Sequence, residues 1–278
     1  MNSKILSPAK VNLLLKVVSK RPDGYHNLVS IIDLISIYDT IELEDTLDDK
    51  VVVTDLAGAL PDGPENTMFR AAMLLKRAFN VHRGIRIVVD KKIPMGAGLG
   101  GGSSNAASVM KELVRRWGIS LEQDEMMSLG REIGADVPLF LYGNPCVMKG
   151  IGDRVEPLEL PKLDYLVVYP NVVLSTKEVY QGLRIVLTRN ENEVTFSRHF
   201  LAASDIADVL ENDLEVVAVG KCPVIKTIKE RLIEAGAVGA LMSGSGSAVF
   251  GIFRSQRDAV AASQQLGGLG QVFVAEST

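Results

Sequence analysis

From Ile93 to Ala107 the chain reads IPMGAGLGGGSSNAA, and five of the seven residues between Gly96 and Gly102 are glycine. Ahead of this stretch, Ile85 to Val89 (IRIVV) has the β-branched make-up of a strand. Behind it, Ala106, Val109, Met110, Leu113, Val114 and Trp117 recur at helical spacing until Gly118 offers a left-handed stop. A strand, a glycine-dense turn and a helix in that order let the backbone come close to a ligand. Successive N–H groups then converge on phosphate oxygens and the helix start adds partial positive charge. Ser103 and Ser104 add hydroxyls there. A flexible linker shares this composition, although linkers do not usually join so regular a strand and helix. Gly96, Gly98 and Gly101 also spell the G-x-G-x-x-G dinucleotide fingerprint. That motif needs an acidic residue closing the next strand about twenty residues later, where this chain has a helical stretch. A Walker-A reading fails because no Gly-Lys-Ser/Thr follows.

The rest of the chain sets the frame for that loop. Its 278 residues suffice for a large core and one or two domains, and 47% hydrophobic with 23% charged residues is the composition of a globular protein. A formal charge of −4 removes the general attraction that a binder of phosphate backbones needs, so no nucleic-acid partner is expected. Cys146 and Cys222 have neither metal-knuckle nor redox spacing and read as buried thiols. Pro8, Lys10 and Lys16 interrupt the N-terminus before a signal-length apolar core develops, and no window reaches the length of a membrane span. The expectation is a soluble cytoplasmic protein without a membrane partner.

Strand patterns fall at Lys4 to Val18, Ile31 to Ile37, Thr40 to Glu44 and Val51 to Thr54. Period-2 alternation in the first puts Val11, Leu13, Leu15 and Val17 on one face, with Lys10, Asn12 and Lys16 on the other. Helices are predicted over Thr67 to Phe79, with Asn66 as N-cap, and over Leu121 to Ile133, stopped at Gly134. From Leu163 the pattern restarts. It predicts a strand at Tyr165 to Tyr169, a helix from Ser175, a helix from Pro223 to Ala235, strands at Gly239 to Met242 and Ala248 to Phe253, a helix at Ser255 to Leu266 and a strand at Val272 to Ala275. This order suits an α+β layer with helices on one sheet face. The seam is placed at Pro157 to Pro161, giving lobes of 1–160 and 161–278.

Three stretches together carry a resemblance: SPAKVNLLLKV at Ser7 to Val17, PMGAGLGGGSS at Pro94 to Ser104, and MSGSGSAVFG at Met242 to Gly251. In order and separation they are similar to the three motifs of the GHMP kinases, and the likeness covers nearly the whole chain. RPDGYH at Arg21 to His26, GADVPLFL at Gly134 to Leu141 and KGIGDRVEPL at Lys149 to Leu158 further resemble the branch acting on a cytidyl diphosphate methylerythritol. The resemblance implies a two-lobed GHMP kinase fold, with an N-terminal ribosomal-protein-S5-like lobe, a C-terminal ferredoxin-like lobe and the active site in the cleft between them. The first lobe would bind ATP and the second would supply the substrate side.

It also implies roles. ATP, the co-substrate, would lie against Pro94, Met95, Gly96, Ala97, Gly98, Leu99, Gly100, Gly101, Gly102, Ser103 and Ser104, with Asn66 near adenine or serving only as a cap. Tyr25 and Tyr180 would sandwich the cytosine, His26 would read its polar edge, and Asn12 and Thr176 would contact the substrate. Asp136 resembles the catalytic aspartate and Lys10 its partner. From the residues alone, Asp136 is equally a cap and Lys10 a solvated strand residue, but a charge interrupting a strand of buried-type residues needs a partner or a ligand. Ile32 departs from the pattern, standing where some members have an additional aromatic near the cytosine. The glycines of Ser243 to Ser247 either shape the diphosphate side or only permit tight turns. Mg²⁺ is expected with the nucleotide, with no protein-made metal cage. The assembly expected is a monomer or weak homodimer.

Overall fold

The computed structural model describes residues 2–183, 194, 196 and 199–278. These form two compact units, both drawing on the N-terminal half of the chain. One holds the residues up to Ala9 with Ile37–Ile93 and Gly100–Gly143; the other holds Lys10–Ser36, Pro94–Leu99 and the described part of the chain from Asn144 onward. The glycine stretch is therefore divided, with Pro94 to Leu99 in the second unit and Gly100 onward in the first.

Two long strands, β1 (Asn2–Lys20) and β2 (His26–Thr46), contribute to both units. The sequence suggests separate strands at Ile31 to Ile37 and Thr40 to Glu44, with Tyr38 and Asp39 as the break. β2 instead runs through, because the Asp39 carboxylate is buried and accepts the N–H groups of Lys92 and Ile93 at 2.7 and 2.9 Å. The alternation expected for β1 holds for direction but not for exposure. Val11 to Val18 are all buried, so the strand is covered on both faces.

In the first unit, β3 (Val51–Asp55) runs parallel to β4 (Gly84–Asp90), which pairs antiparallel with the Thr40–Thr46 end of β2. Helix α1 (Thr67–Ala78) is capped by Asn66, whose Oδ1 accepts from the N–H of Met68 at 2.9 Å. Helix α2 (Gly101–Trp117) begins inside the glycine run, opened by left-handed Gly100, and Gly118 ends it with φ 66°. Helix α3 (Gln123–Ile133) stops at Gly134, and short α4 (Val137–Tyr142) follows Asp136. Gly130 lets these two meet, since a Cβ there would lie 2.6 Å from Leu141 Cδ1.

In the second unit, β5 (Cys146–Gly150) and β6 (Arg154–Pro157) form a hairpin, and β5 pairs with the Leu28–Ile32 part of β2. Next come β7 (Asp164–Tyr169), α5 (Thr176–Gln181), α6 (Ala203–Ala207), β8 (Glu211–Asn212), α7 (Glu215–Lys221), α8 (Val224–Glu234), β9 (Gly239–Met242), β10 (Val249–Phe253), α9 (Gln256–Leu266) and β11 (Gln271–Glu276). The antiparallel sheet order β11-β7-β10-β9 is that of a β-α-β-β-α-β arrangement. Leu166 and Val168 face the same side of β7 and share a core with Ile225, Ile228 and Leu232 of α8 and with Ala259, Ala262 and Leu266 of α9. The two-residue β8 and helices α6 and α7 escape prediction because they are too short to show a period.

The opposite face of β7 carries Tyr165, which meets Phe250 edge-on at 5.8 Å and donates its hydroxyl to Asp33 Oδ2 at 2.7 Å. Ser277 Oγ donates to the same oxygen at 2.7 Å, while buried Asp33 Oδ1 has no partner. Burial pushes the Asp33 carboxyl above its usual range, outweighing the hydrogen bonds that favour ionisation. The folded state thus holds the proton more tightly than the unfolded chain. The stabilisation is fully present below the unfolded pKa and is lost as pH rises through the folded one. Asp33→Asn should therefore exceed the wild type by on the order of 1 kcal/mol at pH 8, with the gap shrinking towards pH 5. Urea unfolding at both pH values measures this, and a pH-independent gap would disprove the assignment.

Candidate active site

Lys10 and Asn12 lie on one face of β1, 4% and 2% exposed. The Lys10 ammonium donates to Asn12 Oδ1, and Asn12 Nδ2 donates to Ser30 Oγ at 2.8 Å, which in turn donates to the Leu14 carbonyl at 2.6 Å. This relay fixes the Asn12 amide so that its carbonyl end meets the cation. The Lys10 N–H also donates to the Leu99 carbonyl at 3.0 Å, holding the glycine loop to the strand.

The same unit brings the third glycine motif to this point. Ser243 Oγ donates to the Gly98 carbonyl at 3.0 Å and the Ala248 N–H to the Ala97 carbonyl at 3.1 Å. A Cβ on Gly98 (φ 80°) would lie 2.1 Å from the Ser243 carbonyl oxygen, and one on Gly244 (φ 56°) would lie 3.1 Å from Lys10 Nζ. These glycines serve close approach as well as the turn. On Gly96 (φ 63°) a Cβ would meet Val173 at 2.7 Å. Met95 is exposed, and its carbonyl accepts from Tyr169 OH at 3.4 Å.

In the first unit the loop runs into α2. Gly100 supplies no capping side chain for the first N–H groups of the helix. Ser104 Oγ shares a hydrogen with Ser7 Oγ at 2.7 Å, and Asn105 Nδ2 donates to Ser7 Oγ at 3.1 Å and to Asp39 Oδ2 at 2.9 Å. Lys91 Nζ donates to Asn105 Oδ1 at 2.9 Å and pairs with Asp39. Ser103 Oγ would be 3.7 Å from a Cβ on Gly134, the residue where α3 stops. Gly101 packs on Ile93, and Gly102, which accepts from Thr67 Oγ1 at 2.8 Å, is exposed. Asp136 is half-buried and its side chain makes no capping bond, which removes the cap as its role. Asn66 is 3% exposed, with Nδ2 on the Pro61 carbonyl at 3.0 Å and Oδ1 spent on the cap.

His26 and Tyr180 stack with centroids 5.3 Å apart and planes 27° from parallel. Burial, with Lys20 adding to it, lowers the His26 pKa, so at neutral pH the ring is neutral and offers one donor and one acceptor. Tyr25, 62% exposed in the turn opened by Gly24, stands outside this stack. Thr176 begins α5 and its Oγ bonds Ser245 Oγ at 2.8 Å, joining α5 to the third motif. Ile32 is wholly buried, pairing with Cys146 in the sheet, and acts as core.

Comparison with known proteins places this geometry. Residues 66–144 match the model for the GHMP kinases N terminal domain, and 198–270 match that for GHMP kinases C terminal. A 4-diphosphocytidyl-2-C-methyl-D-erythritol kinase of Geobacter metallireducens is 45% identical over 96% of this chain and 95% of its own. The chain belongs to this kinase family. A crystal structure of 4-(cytidine 5'-diphospho)-2C-methyl-D-erythritol kinase superposes with a TM-score of 0.82 at 33% identity, covering 99% of this chain and all of that one. The homoserine kinase from Cytophaga hutchinsonii, at 20% identity and a TM-score of 0.77 over 100% of this chain and 94% of that one, shares the GHMP kinase fold.

Within the 4-diphosphocytidyl-2-C-methyl-D-erythritol kinase frame, sequence reasoning missed Asp39, Asn105 and the Ser243 to Gly98 contact. Their partners are remote in the chain, and no local pattern marks them. The glycines of the third motif pack against Lys10 and Gly98. Gly98→Ala should therefore cost more than Gly118→Ala, whose left-handed φ costs about 1–2 kcal/mol and whose Cβ meets nothing within 4 Å. Thermal unfolding with ATP titration distinguishes them. Gly98→Ala is expected to weaken nucleotide binding at least about tenfold, equivalent to roughly 1.4 kcal/mol, and Gly118→Ala to leave it unchanged.

Proposed function

We propose that this chain transfers the γ-phosphoryl group of ATP to the 2-hydroxyl of 4-diphosphocytidyl-2-C-methyl-D-erythritol, a step of the non-mevalonate isoprenoid pathway. The observation that carries the substrate is the 45% identity to a curated enzyme of that name over 96% of the chain. The site fits such a reaction. Phosphoryl transfer asks a protein to align the nucleophile and to neutralise charge on the transferred group, with little covalent work of its own.

Asp136 takes the proton of the 2-hydroxyl as that oxygen bonds to the γ-phosphorus and the bond to the β-bridging oxygen breaks, leaving ADP. Lys10 orients the hydroxyl and stabilises charge, and Asn12, fixed by Ser30, contacts the substrate beside it. Pro94 to Ser104 receive the phosphates on backbone N–H groups and on the start of α2. Asn66 stands on the adenine side through the helix it caps. His26, neutral, reads the cytosine edge while Tyr180 and Tyr25 offer ring faces, and Thr176 bonds the substrate. Among the described residues no group of three or more His, Cys, Asp or Glu could hold a metal. Mg²⁺ bound with the ATP phosphates would supply charge neutralisation there.

In the same reading residues 1–160 bind ATP and 161–278 serve the substrate side. The protein works in the cytoplasm as a monomer or weak homodimer, without nucleic-acid or membrane partners. Among the described residues no helix is long and apolar enough to cross a membrane.

ADP release with the cytidyl diphosphate substrate tests the reading directly, and turnover of a simple alcohol in its place would refute it. Asp136→Asn should lower kcat by roughly 10²- to 10⁴-fold with ATP affinity nearly intact; wild-type turnover would eliminate the base. Tyr180→Ala should raise the KM for the cytidyl substrate about tenfold, within the range of a lost base-stacking contact, and spare the KM for ATP.

A further inference from the structure

The short strand β8 lies outside all three motifs, yet it joins two of them. Leu14 and Leu15 of β1 pair in parallel with Glu211 and Asn212. Asp213 fastens the join: its N–H donates to the Leu15 carbonyl at 2.9 Å and its Oδ2 accepts the Val17 N–H at 2.8 Å. Lys16, 9% exposed, bridges Glu211 and Asp213 from β1. β8 is thereby held to the strand that carries Lys10.

From this fixed base Asn212 reaches the third motif. Its Nδ2 donates one hydrogen to the Met242 carbonyl and the other to the Gly244 carbonyl, both at 2.8 Å, while Oδ1 accepts the Leu214 N–H at 2.9 Å. Asn212 is 7% exposed, so neither carbonyl has an easy substitute in water. Both amide hydrogens are used, and only a planar NH₂ group can satisfy two acceptors at this spacing while the other end of the side chain accepts. The two carbonyls flank Ser243, whose hydroxyl holds Gly98, and belong to the turn in which Gly244 abuts the Lys10 ammonium. Gly244 and Gly246 have positive φ and resist no deformation through side chains of their own, so this turn takes its shape from outside.

We propose that Asn212 is a positioning residue for phosphoryl transfer, setting the Gly244 turn against Lys10 and Gly98 by bridging two carbonyls of that turn from the strand paired with β1. This rests on the kinase reading above and adds to it a residue that touches neither substrate. A displacement of the order of 1 Å at reacting groups costs about 10²-fold, so the effect should fall on kcat. The cytidine stack of His26 and Tyr180 has no bond to Asn212 and should not feel the change.

Asn212→Asp keeps the shape and the acceptor for Leu214 but sets a carboxylate against two carbonyls; Asn212→Ser serves if the aspartate variant does not fold. Ile228→Ala, a core truncation in the same unit, matches the loss of stability without touching the turn. The expected result is a fall in kcat of about 10- to 100-fold for the Asn212 variants, with the KM for the cytidyl substrate within about twofold of wild type, and near-normal kcat for Ile228→Ala. The Lys10 ammonium resonance in ¹⁵N-lysine-labelled protein reads the arrangement without turnover and should shift in the Asn212 variants alone. Equal kcat losses in Asn212 and Ile228 variants, or an unmoved Lys10 resonance, would overturn the proposal. Failure of the wild type to release ADP would instead strike the kinase reading, with the Lys10 resonance still deciding the role of Asn212.

Discussion

A carboxylate with no exposed surface is costly unless every lone pair is used, and Asp39 uses them on both stems of the glycine loop. On the entering side it accepts the N–H groups of Lys92 and Ile93 and pairs with the Lys91 ammonium; on the leaving side it accepts from Asn105, the fifth residue of α2. Asn105 and Ser104 pass the restraint to Ser7 on β1. Glycine carries the largest backbone entropy of any residue, so a loop built of it is the costliest kind to order around a ligand. Fixing both stems on one buried charge lowers the cost of ordering that loop.

Sequence patterns reached the features whose signals are local. Asn66 and Ser255 mark helix starts, Gly118 and Gly134 mark stops, and the C-terminal strands fall within a residue of the ends read from the sequence. The relation of Lys10 to Asn12 was legible because period 2 in a strand fixes it. Asp39 was not. An aspartate after tyrosine reads as a chain break, and only the approach of Lys92 and Ile93 turns it into a tie. The β5–β6 hairpin was hidden for a related reason: Gly150, Gly152 and Asp153 read as a loop, and the strands on either side are short.

The candidate site was legible unevenly. The glycine loop points to a phosphate by composition and context, whereas Tyr25, His26 and Tyr180 entered only through the resemblance to a kinase family, and that resemblance paired Tyr180 with Tyr25 where the structure stacks it on His26. Asn212 had neither kind of signal. An asparagine between two acids, in a strand of two residues, has no period and no motif, and its importance lies wholly in the two carbonyls it bridges.

The two ends of the site are made of different materials, and this bears on how each recognises its ligand. Around Lys10 the parts are buried backbone and short side chains: Asn12, Ser243 and Ser247 are almost fully enclosed, and glycines meet at distances no Cβ allows. Such a region fits one geometry and tolerates little change. Around the aromatic pair the parts are half-buried or exposed side chains at the start of β2 and on a six-residue helix. Thr176 bonds Ser245 at 2.8 Å, tying the helix of Tyr180 to the turn that carries Gly244.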